Sequence, residues 1–358
     1  MGPRVGVIGA GVYGTTVLQA FSWAQRCDQI ELAALAEING DVLAKQAERF
    51  GLKGYQDYRE MLQNENLDAV AIVTPDHLHR EMAMACADRG VHMMVQKPLD
   101  VTTAGALAMV KAARDANVLL YVDFHKRFDP GHIQLRRDVR QGRLGRIQYG
   151  YVWMEDKIVV PSVWFRGWAQ HSSPAWFLGV HFYDLLYWVL GAKPVRVTAT
   201  GIKDKLVGMG IDTYDSIQAK IEYANGAHFS VDCSWILPES FPSIVNQGIR
   251  MVGSQGIWEV DSQDRGIVYA VEEDAGSVVP NYYANMERDD PLGGTYPAGY
   301  VIESMLWFLQ LVSRLKQGAA LAELAGLYPN GEEALVSTRL CEGIHESLAG
   351  GNAAVVEL

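Results

Sequence analysis

The sequence predicts an α/β fold: a doubly wound parallel sheet first, then an α+β half built on a mostly antiparallel sheet. Three observations predict it. About the first 120 residues alternate short apolar strands with helical patterns, the mark of successive βαβ units. Beyond about residue 125 longer strands take over, with apolar and polar side chains alternating. Between the first strand and the first helix lies a glycine turn, Gly9-Ala10-Gly11-Val12-Tyr13-Gly14.

The elements follow in order. Residues 4–8 read as a buried strand and 12–24 as a helix; 31–36 is a strand and 41–50 a helix stopped by Gly51. A strand at 69–73 ends at Thr74-Pro75, and a helix at 78–88 is stopped by Gly90. Residues 91–95 (strand), 102–116 (helix) and 118–122 (strand) complete the alternating half. In the second half, strands are expected at 147–155, 194–201, 216–223, 227–235, 248–252 and 257–260. Residues 223–227 form a hairpin turn with Asn225-Gly226 supplying the positive φ angles, and 252–256 reads as another. One prominent helix covers 176–190, and amphipathic helices cover 300–315 and 331–349. There is no internal repeat and no low-complexity linker, so the expected division is 1–124 and 125–358.

Composition narrows the function classes. The 358 residues are 49% hydrophobic and 20% charged, as in a globular protein. A net charge of −11 repels phosphate backbones and anionic lipid, which argues against nucleic-acid or membrane partners. The start of the chain is a strand and a glycine turn rather than a secretory leader. The apolar stretch 176–191 carries His181 and Asp184 and is too short and too polar to span a bilayer. Cys27, Cys86, Cys233 and Cys341 are scattered, which suits a reducing cytoplasm and speaks against a zinc site, so no metal is expected.

The glycine turn has the spacing G-x-G-x-x-G. Gly9 allows a tight turn, Gly11 lets backbone approach a pyrophosphate, and Gly14 lets helix pack on strand. The helix N-terminus then faces the phosphates. Roughly 20 residues further on, Glu37 closes the second strand, where a carboxylate accepts from ribose hydroxyls. No Arg follows it to receive a 2′-phosphate, so NAD is expected and NADP is the lesser candidate.

Further motifs carry a resemblance. Thr74-Pro75-Asp76-His77-Leu78-His79 is followed by Gly90-Val-His-Met-Met-Val-Gln96-Lys97-Pro98, then Phe124-His-Lys-Arg127-Phe-Asp-Pro130, then Gly179-Val-His181-Phe-Tyr-Asp184 running to Gly191. In that order, over essentially the whole chain, they resemble the glucose–fructose oxidoreductase / inositol dehydrogenase / MocA (Gfo/Idh/MocA) family. The resemblance implies an N-terminal NAD(P)-binding Rossmann domain and a C-terminal domain with an open-faced sheet for substrate binding and oligomerisation. It implies nicotinamide-linked redox chemistry on sugars, inositols or related polyols, in a homodimer or homotetramer. It places cofactor contacts at Gly9, Ala10, Gly11, Val12, Tyr13, Gly14, Glu37, Thr74, Pro75, Asp76, His79, Gln96 and Lys97.

The family's E-K-P lysine corresponds to Lys97, with a cis bond before Pro98, and its acid/base histidine to His181. An ammonium beside a ring that becomes cationic can relay a proton or polarise a carbonyl. Asp184 could orient His181 or cap its helix. Two positions depart from the pattern: Phe177 stands where many members have Asp, and Gln96 where they have Glu. If the Asp is missing, Lys97 and His181 suffice, or Tyr183 or Lys157 takes the proton. Trp153, Trp164, Arg166 and Phe177, with Lys97, Lys157, His181 and Tyr183, are the expected substrate wall, since indoles stack on sugar C–H faces and Arg bonds hydroxyls. The alternatives are a reductase, a redox-neutral eliminase or hydrolase using NAD transiently, and a non-catalytic dinucleotide or sugar sensor.

Overall fold

The structure, a computed structural model, describes residues 2–272, 274, 276–290, 293–351 and 353–358. The chain divides into two compact units, one of Met1–His125 with Ala284–Leu335 and the other of Lys126–Tyr283 with Val336–Leu358. The sequence pattern changes near residue 125, where the chain leaves the first unit. The return of 284–335 to that unit is invisible to local pattern, because contacts between distant segments leave no periodic trace.

The first unit holds β1 (Arg4–Ile8), α1 (Val12–Arg26), β2 (Glu31–Ala36), α2 (Gly40–Phe50), β3 (Lys53–Tyr55), α3 (Tyr58–Asn64), β4 (Ala69–Ile72), α4 (His79–Asp88), β5 (His92–Val95), α5 (Thr103–Asp115) and β6 (Leu120–Val122). Among the described residues these strands form one parallel sheet in the order β3-β2-β1-β4-β5-β6. The order reverses between β1 and β4, and ligands of such sheets bind beyond the carboxyl ends at that point. Val5, Val7, Val70 and Ile72 are fully buried, as strands covered on both faces require. Asn39 caps α2, accepting from Asp41 N and Val42 N at 3.1 Å, and Gly51 ends it at φ +66°.

The second unit begins with α6 (Pro130–Arg140), then β7 (Ile147–Lys157), α7 (Val180–Leu190), β8 (Pro194–Ile202), α8 (Lys205–Gly208), β9 (Ser216–Tyr223), β10 (His228–Leu237), β11 (Val245–Gly253) and β12 (Ile257–Asp261). Returning to the first unit, the chain adds a hairpin of β13 (Met286–Asp289) and β14 (Thr295–Ala298), then α9 (Tyr300–Lys316). It ends with α10 (Gly331–Ala349) and β15 (Val356–Glu357). The second sheet has the order β12-β11-β7-β10-β9-β8-β15, antiparallel except for the parallel pair β7–β10.

One face of this sheet is covered. Ile217, Ala219, Ile221 and Tyr223 of β9 and Phe229, Val231, Cys233 and Trp235 of β10 are buried. Tyr183 of α7 packs against that face, and Ser347 of α10 reaches it, its Oγ accepting from Ala199 N at 2.8 Å. The opposite face carries Tyr149, Tyr151, Gln218, Lys220, His228 and Arg250, all exposed.

Several local expectations change. In the 223–227 hairpin only Gly226 has positive φ (+84°); Asn225 instead accepts from Ala227 N at 3.1 Å, a side-chain clamp in place of a second left-handed residue. The helix expected from 176 becomes a wider π turn, Ala175–Gly179, and regular α-helix starts at Val180. Among the described residues no helix is long and apolar enough to cross a membrane.

Candidate active site

The glycine turn closes the carboxyl end of β1. Gly9 adopts φ +99°, and a Cβ there would stand 2.7 Å from Val73 O. At Gly14 a Cβ would collide with the Gly9 carbonyl, so α1 can seat on the turn only because both are glycine. Gly11 has nothing within 4 Å of a would-be Cβ, and Val12 is exposed, so the crest of the turn is open. Gly11 opens α1 without a side-chain cap, and no acidic residue occupies the first turn. The first backbone N–H groups are thus left for an anion. This cradle fits a dinucleotide pyrophosphate.

Glu37 follows β2 directly. Its Oε2 accepts from Ala10 N at 2.8 Å and its Oε1 from Asn39 N at 2.9 Å, so the carboxylate is fixed beside the glycine turn. Each oxygen keeps a lone pair for a hydroxyl donor. The neighbour Ile38 is 86% exposed and offers no cation.

Thr74 and Pro75 follow β4, and Asp76 opens a short 3₁₀ turn, Asp76–Leu78. His79 differs from expectation. It is fully buried, with Nδ1 2.8 Å from Pro98 O and Nε2 2.9 Å from Thr74 O. Both ring nitrogens are engaged by backbone, so His79 ties the β4 and β5 loops together and has none left for a cofactor. Gln96 and Lys97 follow β5; Gln96 N donates to Ile72 O (2.9 Å), and Gln96 Oε1 accepts from Lys97 N (2.8 Å). The Lys97–Pro98 peptide is cis and Lys97 is 5% exposed. Glycine turn, Glu37, Thr74 and Lys97 therefore share the carboxyl side of one sheet.

In the second unit, His181 is the second residue of α7 and is buried. Asp184 accepts from Arg127 Nε (2.8 Å) and Nη2 (2.6 Å), both side chains buried. This bidentate pair gives Asp184 a guanidinium partner that the sequence did not single out. Arg127 was legible only as part of a motif. Phe177 joins an aromatic group, with ring centroids 4.8 Å from Phe165, 6.0 Å from Trp168 and 5.8 Å from Trp235.

Other expected wall residues disperse. Trp153 sits on the outward face of β7, stacked on Tyr151 at 5.6 Å, because strand alternation sets it opposite the buried Val152 and Met154. Tyr183 is 1% exposed in the core, and burial pushes its phenol well above 10, so it stays protonated. Lys157 ends β7, its N–H donating to Ile244 O (2.9 Å). Trp164 is exposed, and Arg166 donates to Ser162 O (3.4 Å) and Met209 O (3.1 Å). Asp123, unremarkable in sequence, emerges as a buried hydrogen-bonding centre in the first unit.

Comparison with known proteins shows the family and the fold. Residues 3–124 match the profile described as "Oxidoreductase family, NAD-binding Rossmann fold", and residues 132–259 match the Gfo/Idh/MocA C-terminal domain. The chain is 27% identical over 296 residues to myo-inositol 2-dehydrogenase of Thermotoga maritima, covering 81% of this chain and 85% of that protein. It is 28% identical over 262 residues to levoglucosan dehydrogenase of Pseudarthrobacter phenanthrenivorans, covering 64% and 67%. Its fold matches the crystal structure of scyllo-inositol dehydrogenase from Lactobacillus casei with bound NAD(H) and scyllo-inositol, at TM-score 0.76, 16% identity and coverage of 100% and 99%. The two profiles together span most of the chain: this chain belongs to the Gfo/Idh/MocA family of NAD-binding oxidoreductases.

Proposed function

We propose that this oxidoreductase acts on a CH–OH group of a sugar, inositol or related polyol, with Lys97 and His181 handling the hydroxyl proton. The observation that carries the reading is the placement of Lys97 directly beyond β5, on the ligand-binding side of the sheet that presents the glycine turn and Glu37. When bound, NAD supplies the hydride acceptor. The glycine turn would hold its pyrophosphate and Glu37 its adenosine ribose. Lys97 and His181 are the groups offered to the hydroxyl, whose proton must leave as the carbon is oxidised. The test is absorbance at the reduced-nicotinamide band with NAD and a panel of inositols, sugars and anhydrosugars. A panel with no member oxidised, or reduced in the reverse assay, would overturn the reading.

A second reading of the substrate is favoured by Phe177. A benzyl group accepts no hydroxyl hydrogen bond, and with Phe165 and Trp168 half-buried beside it the group favours an apolar ring face. That suits a substrate with fewer hydroxyls, such as an anhydrosugar, over a fully hydroxylated inositol. The same panel ranks the two, and a higher kcat/KM for inositols would reject this preference.

Cofactor choice follows from Glu37. NAD should bind more tightly than NADP, because a 2′-phosphate would meet a carboxylate instead of a hydroxyl. A hydrogen bond to a charged group is worth about 1.5 kcal/mol or more, so Glu37→Ala should narrow the preference by about tenfold. Titration in which the parent binds NADP equally well would refute this. We also propose self-association into a homodimer or homotetramer through the open sheet face, where Tyr149 and Tyr151 are 47% and 41% exposed. A one-chain mass by light scattering at micromolar concentration would reject it.

A further inference from the structure

In the first unit, three segments far apart in sequence converge on one carboxylate. Asp123 lies just beyond β6 and is fully buried. Its Oδ2 accepts from the Tyr13 hydroxyl at 2.6 Å and from Gln96 Nε2 at 3.2 Å. Its Oδ1 accepts from Ser304 Oγ of α9 at 2.6 Å. The Tyr121 hydroxyl stands 2.8 Å from Ser304 Oγ. His125 Nδ1 lies 3.3 Å from the Tyr13 oxygen and 4.0 Å from Asp123 Oδ2. Tyr13 belongs to the glycine turn and Gln96 immediately precedes Lys97, so one side chain touches both arms of the cofactor site.

The amide makes this contact directional. With Nε2 turned toward Asp123, Gln96 Oε1 is left to accept from Lys97 N at 2.8 Å. Rotated the other way, the amide would set its NH₂ against the Lys97 N–H and its oxygen against the Asp123 carboxylate. Two donors would face each other at one end and two acceptors at the other, so the acceptor at Asp123 selects the amide orientation. We infer that Asp123 is the positioning residue of the Gln96–Lys97 corner and the fixed negative charge of the cofactor site. Burial opposes its ionisation, yet His125, Ser304 and Tyr13 together hold its carboxyl below the ordinary range. Burial and the Asp123 charge push the Tyr13 phenol well above 10, so it remains a donor. A buried anion favours the oxidised cofactor, whose nicotinamide carries the positive charge that the reduced form lacks.

The positioning role rests on Lys97 acting as proposed above, whereas the charge can be read by binding alone. The experiment titrates NADH by fluorescence and NAD by competition in the full chain, for the parent, Asp123→Asn, Gln96→Glu and the double variant. Asp123→Asn should weaken NAD relative to NADH by about fivefold, the size expected of one charge at an intermediate effective dielectric. It should also lower kcat more than it raises KM, a split that general loss of stability does not produce. Gln96→Glu sets two carboxylates within hydrogen-bond distance and should lower kcat as pH rises and both ionise, because their repulsion breaks the corner that holds Lys97 N. The double variant returns one carboxylate to the site and should recover most of the loss. An unchanged NAD/NADH ratio in Asp123→Asn, or single effects that simply multiply in the double variant, would overturn the inference. If Asp123→Asn does not fold, Gln96→Glu decides alone, and parental kcat across pH 6–9 overturns it. A parent that binds NAD but oxidises no polyol would remove the role of Lys97 and leave the binding ratio to judge Asp123.

Discussion

Replacing Lys97 with Met should leave NAD binding near the parental level and lower turnover by roughly 10²–10⁴, the usual worth of a positioned acid or base. The two effects separate because the cofactor's anchors lie elsewhere. Gly9, Gly11 and Gly14 form the phosphate cradle by backbone geometry, and Glu37 is fixed by Ala10 N and Asn39 N, none of which involves the Lys97 ammonium. Met keeps most of the apolar stem, so packing at this buried position changes little. The measurements are NADH fluorescence titration and steady-state turnover on the best substrate of the panel. Near-parental turnover would remove Lys97 from the chemistry. His181→Ala is read in the same way; an alanine variant that loses stability and keeps its rate would leave His181 a packing residue of α7.

The largest stability effect is expected at Arg127 and Asp184. Their two parallel hydrogen bonds, 2.8 and 2.6 Å, join the segment after residue 125 to the middle of α7, with side chains 6% and 1% exposed. Removing one partner strands the other charge in a buried site, which costs about 3–5 kcal/mol. At about 2–4 °C per kcal/mol for a unit of this size, Arg127→Ala or Asp184→Ala should melt on the order of 10 °C below the parent. Replacing both, as Arg127→Met with Asp184→Leu, removes the desolvated charges together and should recover much of the loss. Melting curves in which each single variant falls by under about 2 °C would show that the pair contributes little.

The parallel half was legible because its signals are local. Buried strands read as apolar runs, and Gly51 and Gly90 punctuate the helices where left-handed backbone is needed, at φ +66° and +69°. What escaped was short, polar or non-local. β3 is three residues long and α3 seven, too few for a period to declare itself, and α6 is rich in charge. Glu37 was singled out by its spacing from the glycine turn at the end of a strand, and Lys97 by the Gln96-Lys97-Pro98 motif and its resemblance to the family pattern. Asp123 was not, since its partners Tyr13 and Ser304 lie 110 and 181 residues away. Trp153 is a different case. Its alternation with Val152 and Met154 already assigned it to the outward face, and grouping it with the other tryptophans by type set that parity aside.

The course of the chain through its first unit bears on how the protein is made. The apolar side of α1, with Val17, Leu18, Phe21 and Ala24 buried, packs partly against α9, and β14 places Tyr296 on Trp23 at 4.8 Å between ring centroids. Those partners are translated after the entire intervening stretch 126–283. A nascent chain stopped near residue 125 has all six parallel strands and still lacks the cover of its first helix and the Ser304 hydroxyl on Asp123. The nucleotide-binding half should therefore complete its folding only after residues up to about 335 have emerged, with apolar surface of its first helix showing until then. Chaperone contact should concentrate in that interval, and a fragment ending at residue 125 should be recovered as aggregate rather than as a small soluble NAD-binding module.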